Sequence, residues 1–199
     1  MSVIELKNDK ISAALKTMGA ELTSLKDTEG TEYLWQGNPD YWSGQAPVLF
    51  PIIGCLRNGT ASVSGDKTCS FGRHGIARRK EFTLISSTED KAVFSLKADE
   101  ETKKQYPFDF ELQMTYELDG QKLKITHTVI NHDSIPMPFC VGGHPAFNCP
   151  ISEGEDFEDY VVEFEYPETA DCALLNEDAL IDNGNRVPIL KDSSTLPVK

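Results

Sequence analysis

Apolar and polar residues alternate in short segments along much of this chain, and turn-forming residues separate the segments. The clearest case is the pair of segments 111–118 and 122–130, which flank Asp119 and Gly120. Strict alternation indicates a half-buried strand, and Asp-Gly between two such segments is a strong hairpin signal. The pattern therefore predicts two antiparallel strands joined by a tight turn.

Two further pairs of segments have the same character. Residues 61–63 and 67–69 lie on either side of a Gly65-Asp66 turn, and residues 82–86 and 92–96 flank a polar stretch. Each pair predicts another hairpin.

Helical character is confined to residues 99–106, which are rich in charges and are followed by Pro107. Repeated hairpins without alternating helices predict an all-β sandwich or barrel with antiparallel strands. The chain contains no internal repeat and no convincing linker, so residues 1–199 are predicted to form a single domain.

The C-terminal part is less regular. Residues 160–165 predict a strand, but the tail that follows is polar and rich in turn-forming residues, and no segment of it predicts a closing strand. The expectation is therefore a sheet edge that remains unpaired unless a partner or further sequence covers it. Such an edge also favours a homo-oligomer.

Composition excludes several classes of function. The formal net charge of −13 argues against a nucleic-acid or anionic-membrane surface, because both need clustered Lys and Arg. No apolar run approaches the ~18 residues of a membrane helix, and the charged start of the chain is unlike a signal peptide. The 5 cysteines are scattered and form no CxxC pair, which favours a reduced, cytoplasmic protein.

The first candidate for chemistry is His144, which follows Gly142-Gly143 and precedes Pro145. Glycines allow close approach of the backbone to a ligand, and proline fixes its own φ. A histidine held in this frame suits proton transfer near neutral pH. The alternative is a structural turn in which the imidazole caps a carbonyl. Phe147 is predicted to offer an apolar wall to a ligand ring.

The second candidate is His74, between Gly72 and Gly75. Arg73, Arg78 and Arg79 lie beside it in an otherwise acidic chain, which indicates an anionic or hydroxyl-rich ligand. A solvated basic turn paired with surface carboxylates explains the same residues.

Arg57 is the third candidate. It follows an apolar segment, residues 47–53, and precedes an Asn-Gly turn, so its guanidinium is placed to point into a pocket. A buried strand followed by an ordinary turn is the alternative.

Other motifs carry no functional prediction. His127 lies on a strand with alternating residues, and His132 lies among turn-forming residues. No H-x-H or H-x-x-x-H pair indicates a metal site. The G-x-S-x-G nucleophile motif and the phosphate-loop and dinucleotide fingerprints are also absent.

Taken together, the chain resembles the aldose 1-epimerase (galactose mutarotase) superfamily, and in particular the branch associated with lactose-operon gene clusters. The residues that carry the resemblance are, in chain order, 19–25, 32–37, Trp42, 47–54, 74–78 and 142–150.

The resemblance implies a large antiparallel β-sandwich with an open sugar cleft, and cofactor-free interconversion of the α and β anomers of a hexose. It implies that His144 is the general acid at the ring oxygen and that His74 hydrogen-bonds the same region. By the same resemblance, Arg57 and Arg78 orient sugar hydroxyls and Phe147 lines the cleft.

Two departures from the family pattern matter. The family commonly carries Arg directly after the glycine of the strand motif, where this chain has Cys55; Arg57 is expected to replace it. The family's general-base glutamate lies on a late strand near the C-terminal end of longer chains, and no glutamate of this sequence falls in that motif. The resemblance therefore predicts a C-terminally incomplete domain with impaired turnover.

Two other functions remain open. One is a carbohydrate-binding β-sandwich that does not catalyse, and the other is a mutarotase for hexose 6-phosphates, in which the arginine cluster clamps the phosphate.

Overall fold

The computed structural model describes residues 2–64 and 66–198. Its strands are β1 (Val3–Lys7), β2 (Ile11–Lys16), β3 (Glu21–Asp27), β4 (Val48–Leu49), β5 (Thr60–Ser62), β6 (Thr68–Ser70), β7 (Thr83–Ser87), β8 (Lys91–Lys97), β9 (Phe110–Asp119), β10 (Lys122–Asn131), β11 (Gly142–Gly143), β12 (Val161–Leu175) and β13 (Ile181–Pro197). One α-helix, α1 (Glu100–Gln105), and 3-10 turns at Arg57–Gly59, Ala77–Arg79 and Phe157–Asp159 complete the described elements.

The chain divides into two compact units, the first ending at Phe147 and the second beginning at Asn148. The first contains a three-stranded sheet, β1-β2-β3, a four-stranded sheet, β10-β9-β8-β7, and the pairs β4-β11 and β5-β6. The second contains the pair β12-β13. All these pairings are antiparallel, so the predicted all-β, antiparallel class is confirmed.

Both larger sheets contribute to one hydrophobic core in the first unit. Leu6 and Leu15 come from the three-stranded sheet, and Leu112 comes from the four-stranded sheet; all three are fully buried. The Tyr116 hydroxyl donates a buried hydrogen bond of 2.7 Å to the carbonyl of Ala20, just before β3. The first unit is therefore two sheets packed around a shared core, as in a sandwich.

The local sequence patterns located most of the hairpins correctly. The Asp-Gly turn joins β9 to β10, with Asp119 opposite Lys122. The pairs β7-β8 and β5-β6 also form where they are predicted, although Gly65 of the second turn lies outside the described residues. Residues predicted as helix form α1, where the Asp99 carboxylate accepts from the Thr102 amide at 2.6 Å in a capping box.

The prediction for the C-terminal tail is wrong. The tail does contain a closing strand, because β13 pairs with β12 along most of its length, with several register irregularities. The strand predicted at residues 160–165 coincides with the start of β12, whereas the largely polar sequence of β13 shows no alternation that would have marked it. In the apolar segment 47–53 only β4 forms, since Pro47 and Pro51 lack the N–H groups that a longer ladder needs.

No helix within the described residues is long and apolar enough to cross a membrane.

Candidate active site

Backbone contacts with Phe50 fix the position of the His74 loop. The Phe50 carbonyl accepts from the amides of Ile76 and Ala77 at 2.8 and 3.2 Å. Gly75, at φ +73°, passes so close that a Cβ atom there would lie 2.3 Å from the same oxygen. Only glycine allows this close approach, so the lack of space for a side chain explains why glycine follows His74.

The His74 ring is held by a reciprocal contact with Gly54. The His74 amide donates to the Gly54 carbonyl at 2.8 Å, and the Gly54 amide donates to Nδ1 of the imidazole at 3.0 Å. Nδ1 accepts this hydrogen bond and therefore carries no proton. The neutral ring must then carry its proton on Nε2, which makes His74 a hydrogen-bond donor toward a ligand.

A second backbone ladder positions His144. Strand β11 pairs with β4, with Gly142 opposite Leu49. The pairing continues beyond the strand, because the His144 amide donates to the Pro47 carbonyl at 3.1 Å and the Ala146 amide to the Gln45 carbonyl at 2.9 Å. His144 thus emerges, with an exposed side chain, from a backbone that is tied down on both sides.

The two histidine rings meet. Their centroids are 5.6 Å apart with an interplanar angle of 63°. The Trp42 indole is a second ring neighbour of His144, with its centroid at 5.2 Å and an interplanar angle of 48°. Trp42 was not predicted to have a role in the site, because the alternation of polar and apolar residues does not indicate which loops contact each other.

Burial and nearby cations keep His74 neutral. Burial is the largest cause that lowers its pKa, and the charges of Arg78, His144 and Arg73 lower the pKa further. This direction agrees with the hydrogen bond at Nδ1, which also favours the neutral ring. His74 is therefore suited to donate a hydrogen bond and unsuited to hold a positive charge.

Arg78 has unused hydrogen-bonding capacity. Its Nε is the one buried side-chain nitrogen or oxygen in residues 2–64 and 66–198 that has no hydrogen-bond partner. Burial and the charges of Arg79 and Arg73 lower its pKa, and Glu21 acts in the opposite direction. A cavity of about 230 Å³ adjoins it, lined by Lys16, Glu21, Trp42, Ser43, Gly44, Pro47, Arg78 and Arg79.

The structure does not bring the other two predicted residues to the rings. Arg57 is exposed in its 3-10 turn, three residues beyond Gly54. Phe147 is 60% exposed, and its backbone bridges to Leu34. Neither has a ring or polar contact with His74 or His144 among the contacts described, and their roles in sugar binding stay predictions.

Within the described part of the chain, no group of three or more His, Cys, Asp or Glu residues is arranged to hold a metal ion. The chemistry that this arrangement supports is proton donation and hydrogen bonding to a polar ligand, by two imidazoles and a cationic neighbour.

Comparison with known proteins agrees with this fold. The family model for aldose 1-epimerase matches residues 2–193, so the chain belongs to the aldose 1-epimerase family. The family is one of isomerases that act on sugars.

Three relatives illustrate the similarity. The plasmid-encoded protein LacX of Lactococcus lactis is 42% identical over 97% of this chain and 67% of its own length. A galactose mutarotase related enzyme from Lactobacillus acidophilus has a TM-score of 0.92 at 36% identity, over 100% of this chain and 65% of its own. An Escherichia coli K12 protein, named provisionally as a glucose-6-phosphate 1-epimerase, is 26% identical over 90% of this chain and 68% of its own. The chain thus spans about two thirds of the length of these relatives.

The neutral state of His74 predicts a pH dependence of stability. Because burial and cations lower its pKa in the folded protein, the unfolded chain takes up a proton at an ordinary pKa of about 6.5 that the folded protein does not take up. The free energy of unfolding should therefore be highest above pH ~6.5 and fall as the pH drops below it, by at most about 1.4 kcal/mol per pH unit for this group. Burial lowers the pKa of His127 as well, which adds a contribution of the same sign.

Denaturant unfolding between pH ~5 and ~7 measures this contribution. We expect His74→Asn to flatten the curve, since Asn tolerates the left-handed backbone at φ +67°. The carboxylates titrate in both proteins, so their contribution to the pH slope cancels when the variant is compared with the wild type. The variant His127→Gln gives the separate contribution of the His127 ring. An identical pH slope for His74→Asn and the wild type would contradict the neutral assignment.

Proposed function

We propose that this protein interconverts the α and β anomers of an aldose by acid-base ring opening, with His144 as the general acid. One observation carries the proposal: two imidazole rings 5.6 Å apart, of which one is held neutral by the Gly54 amide on its Nδ1. A neutral imidazole that donates a hydrogen bond leaves the second imidazole for the role of acid, and such a division of roles between two titratable groups is usual at an acid-base site.

The proposed reaction transfers two protons and breaks one bond. The His144 imidazolium donates its proton to the ring oxygen O5 while a base removes the proton of the C1 hydroxyl, and the C1–O5 bond breaks to give the open aldehyde. Rotation about C1–C2 exposes the other face of the carbonyl. Ring closure reverses both proton transfers and yields the opposite anomer.

His74 contributes as a neutral donor. Its Nε2–H can hydrogen-bond the ring oxygen or a neighbouring hydroxyl, and it favours the accumulation of negative charge there. We do not assign His74 the role of base, because the lone pair on its unprotonated Nδ1 already accepts the hydrogen bond from the Gly54 amide. The family uses a glutamate as base on a late strand, and we assign that role to no residue of this sequence.

The extent of the family match supports treating residues 1–199 as one domain of this family. The match to residues 2–193 runs through both compact units. Five free cysteines are consistent with the proposed cytoplasmic location. The position of β10 at the edge of its sheet supports self-association.

Magnetisation-transfer NMR on galactose and glucose tests the proposal. We expect anomer exchange above the buffer rate, and a loss of about 10²–10⁴-fold in His144→Ala, which is the usual contribution of a general acid. His132→Ala is the matched control, because that ring lies next to Glu111, at 3.4 Å, and has no contact with the proposed site.

Equal exchange by the wild type and His144→Ala would contradict the role of His144. Binding of galactose without any exchange by the folded protein would favour the carbohydrate-binding function instead.

A second candidate function, epimerisation of a sugar phosphate, is favoured by the unpartnered Nε of Arg78. Arg79 and Lys16 line the cavity beside it, although Lys16 is paired with Glu21 at 2.5 Å. A guanidinium with a free N–H is suited to bind a phosphate oxygen. The name of the Escherichia coli relative points to the same class of substrate.

The affinities for glucose and glucose 6-phosphate, measured by calorimetry, decide between the two substrates. If phosphate occupies the cavity, Arg78→Ala should weaken binding of the phosphate ester by roughly 10- to 100-fold, as expected for loss of a charged hydrogen bond, and leave glucose almost unchanged. Equal weakening of both ligands would rule out the phosphate clamp and leave Arg78 as a contact to sugar hydroxyls.

A further inference from the structure

Trp42 is the aromatic neighbour of the proposed acid, and its own attachment is well defined. Its amide donates to the Asn38 carbonyl at 2.8 Å, and its carbonyl accepts from Nε1 of Trp35 at 2.8 Å. The amide and the carbonyl of Trp42 therefore both make hydrogen bonds, which fixes the direction in which the indole leaves the loop.

Gly44 supports the indole directly. A Cβ atom at this position would lie 2.4 Å from Cζ2 and 2.6 Å from Cε2 of Trp42, well inside van der Waals contact. Unlike Gly75, Gly44 has no positive φ, so its backbone conformation would accept alanine. The close approach of the indole therefore leaves no room for a side chain at residue 44.

The same loop also ties down the backbone of His144. The carbonyls of Gln45 and Pro47 accept from the amides of Ala146 and His144. The loop itself is anchored by the Glu21 carboxylate, which is 5% exposed and accepts from the amides of Gln45 and Ala46 at 3.1 and 2.9 Å. The indole and the backbone of His144 are therefore built on one short, anchored segment.

We propose that Trp42, seated on Gly44, is a positioning residue that holds the His144 imidazole in its orientation beside His74. The proposal rests on the proposed function of His144 as the acid. The His144 side chain is exposed, so without a neighbour it is free to rotate. The indole, with its centroid 5.2 Å from that of the His144 ring, and the His74 ring, at 5.6 Å, both restrict that rotation.

The distinction between positioning and sugar binding is measurable. A residue that only orients the acid affects the chemical step and leaves the contacts with the sugar intact, so kcat falls and KM stays nearly constant. Misplacing a catalytic group by about 1 Å can cost about 10²-fold in rate. A stacking platform for the sugar would instead change KM.

A double-mutant cycle uses the fact that the three atoms nearest to a Cβ atom at position 44 all belong to the indole. We expect Gly44→Ala and Trp42→Ala each to lower kcat for anomer exchange by roughly 10- to 100-fold with little change in KM. The double variant should be within about 2-fold of Trp42→Ala, because the collision disappears with the indole. Gly184→Ala is the matched control and should not change kcat, since Gly184 has no positive φ and a Cβ atom there would meet only Asp182 Oδ1, at an ordinary contact distance of 3.4 Å.

A spectroscopic readout does not depend on turnover. We expect the Trp42 ring current to shift the NMR resonances of the His144 ring protons, and we expect this shift to be lost in Gly44→Ala and in Trp42→Ala and kept in Gly184→Ala. If the wild type shows no anomer exchange, the proposed function fails, whereas loss of the shift in Gly44→Ala still supports the placement of His144 by Trp42.

Two results would overturn the proposal. One is a His144 spectrum that Trp42→Ala leaves unchanged. The other is an unchanged kcat with a raised KM in both single variants, which would make Trp42 a sugar-binding platform.

Discussion

The hydrogen bond from the Gly54 amide to Nδ1 of His74, at 3.0 Å, is the interaction on which the site depends. It fixes the plane of the imidazole and leaves the proton on Nε2, where a ligand can accept from it. Burial and the charges of Arg78 and Arg73 act in the same direction by lowering the pKa of His74. With this ring in the neutral form, the proposed mechanism assigns the transferred proton to His144.

One stretch of backbone, residues 45–54, positions both rings. Its first part accepts the amides of Ala146 and His144, and its last residue exchanges hydrogen bonds with His74. The distance between the two imidazoles is therefore set largely by a short segment, much of it buried. Rigid support of this kind is what positioning of catalytic groups requires.

Local sequence patterns predicted the local features of the structure. Alternation around Asp119-Gly120 predicted β9 and β10, and the glycine and proline frames drew attention to His74 and His144. The contacts between distant loops could not be predicted: nothing in the sequence indicates that Gly54 caps the His74 ring or that Gly44 accommodates Trp42. The start of β12 was predicted from residues 160–165, but β13 was not, because its largely polar sequence leaves no periodic signal.

A measurement of the tautomer and charge of the His74 ring is the most direct test of the proposed site. Long-range proton–nitrogen NMR correlation at pH ~6, where an ordinary histidine with a pKa of about 6.5 is mostly protonated, reports both nitrogens separately, and His74→Asn identifies the resonances. The account predicts a neutral ring with an unprotonated Nδ1 and a protonated Nε2. A doubly protonated ring, or a proton on Nδ1, would contradict it.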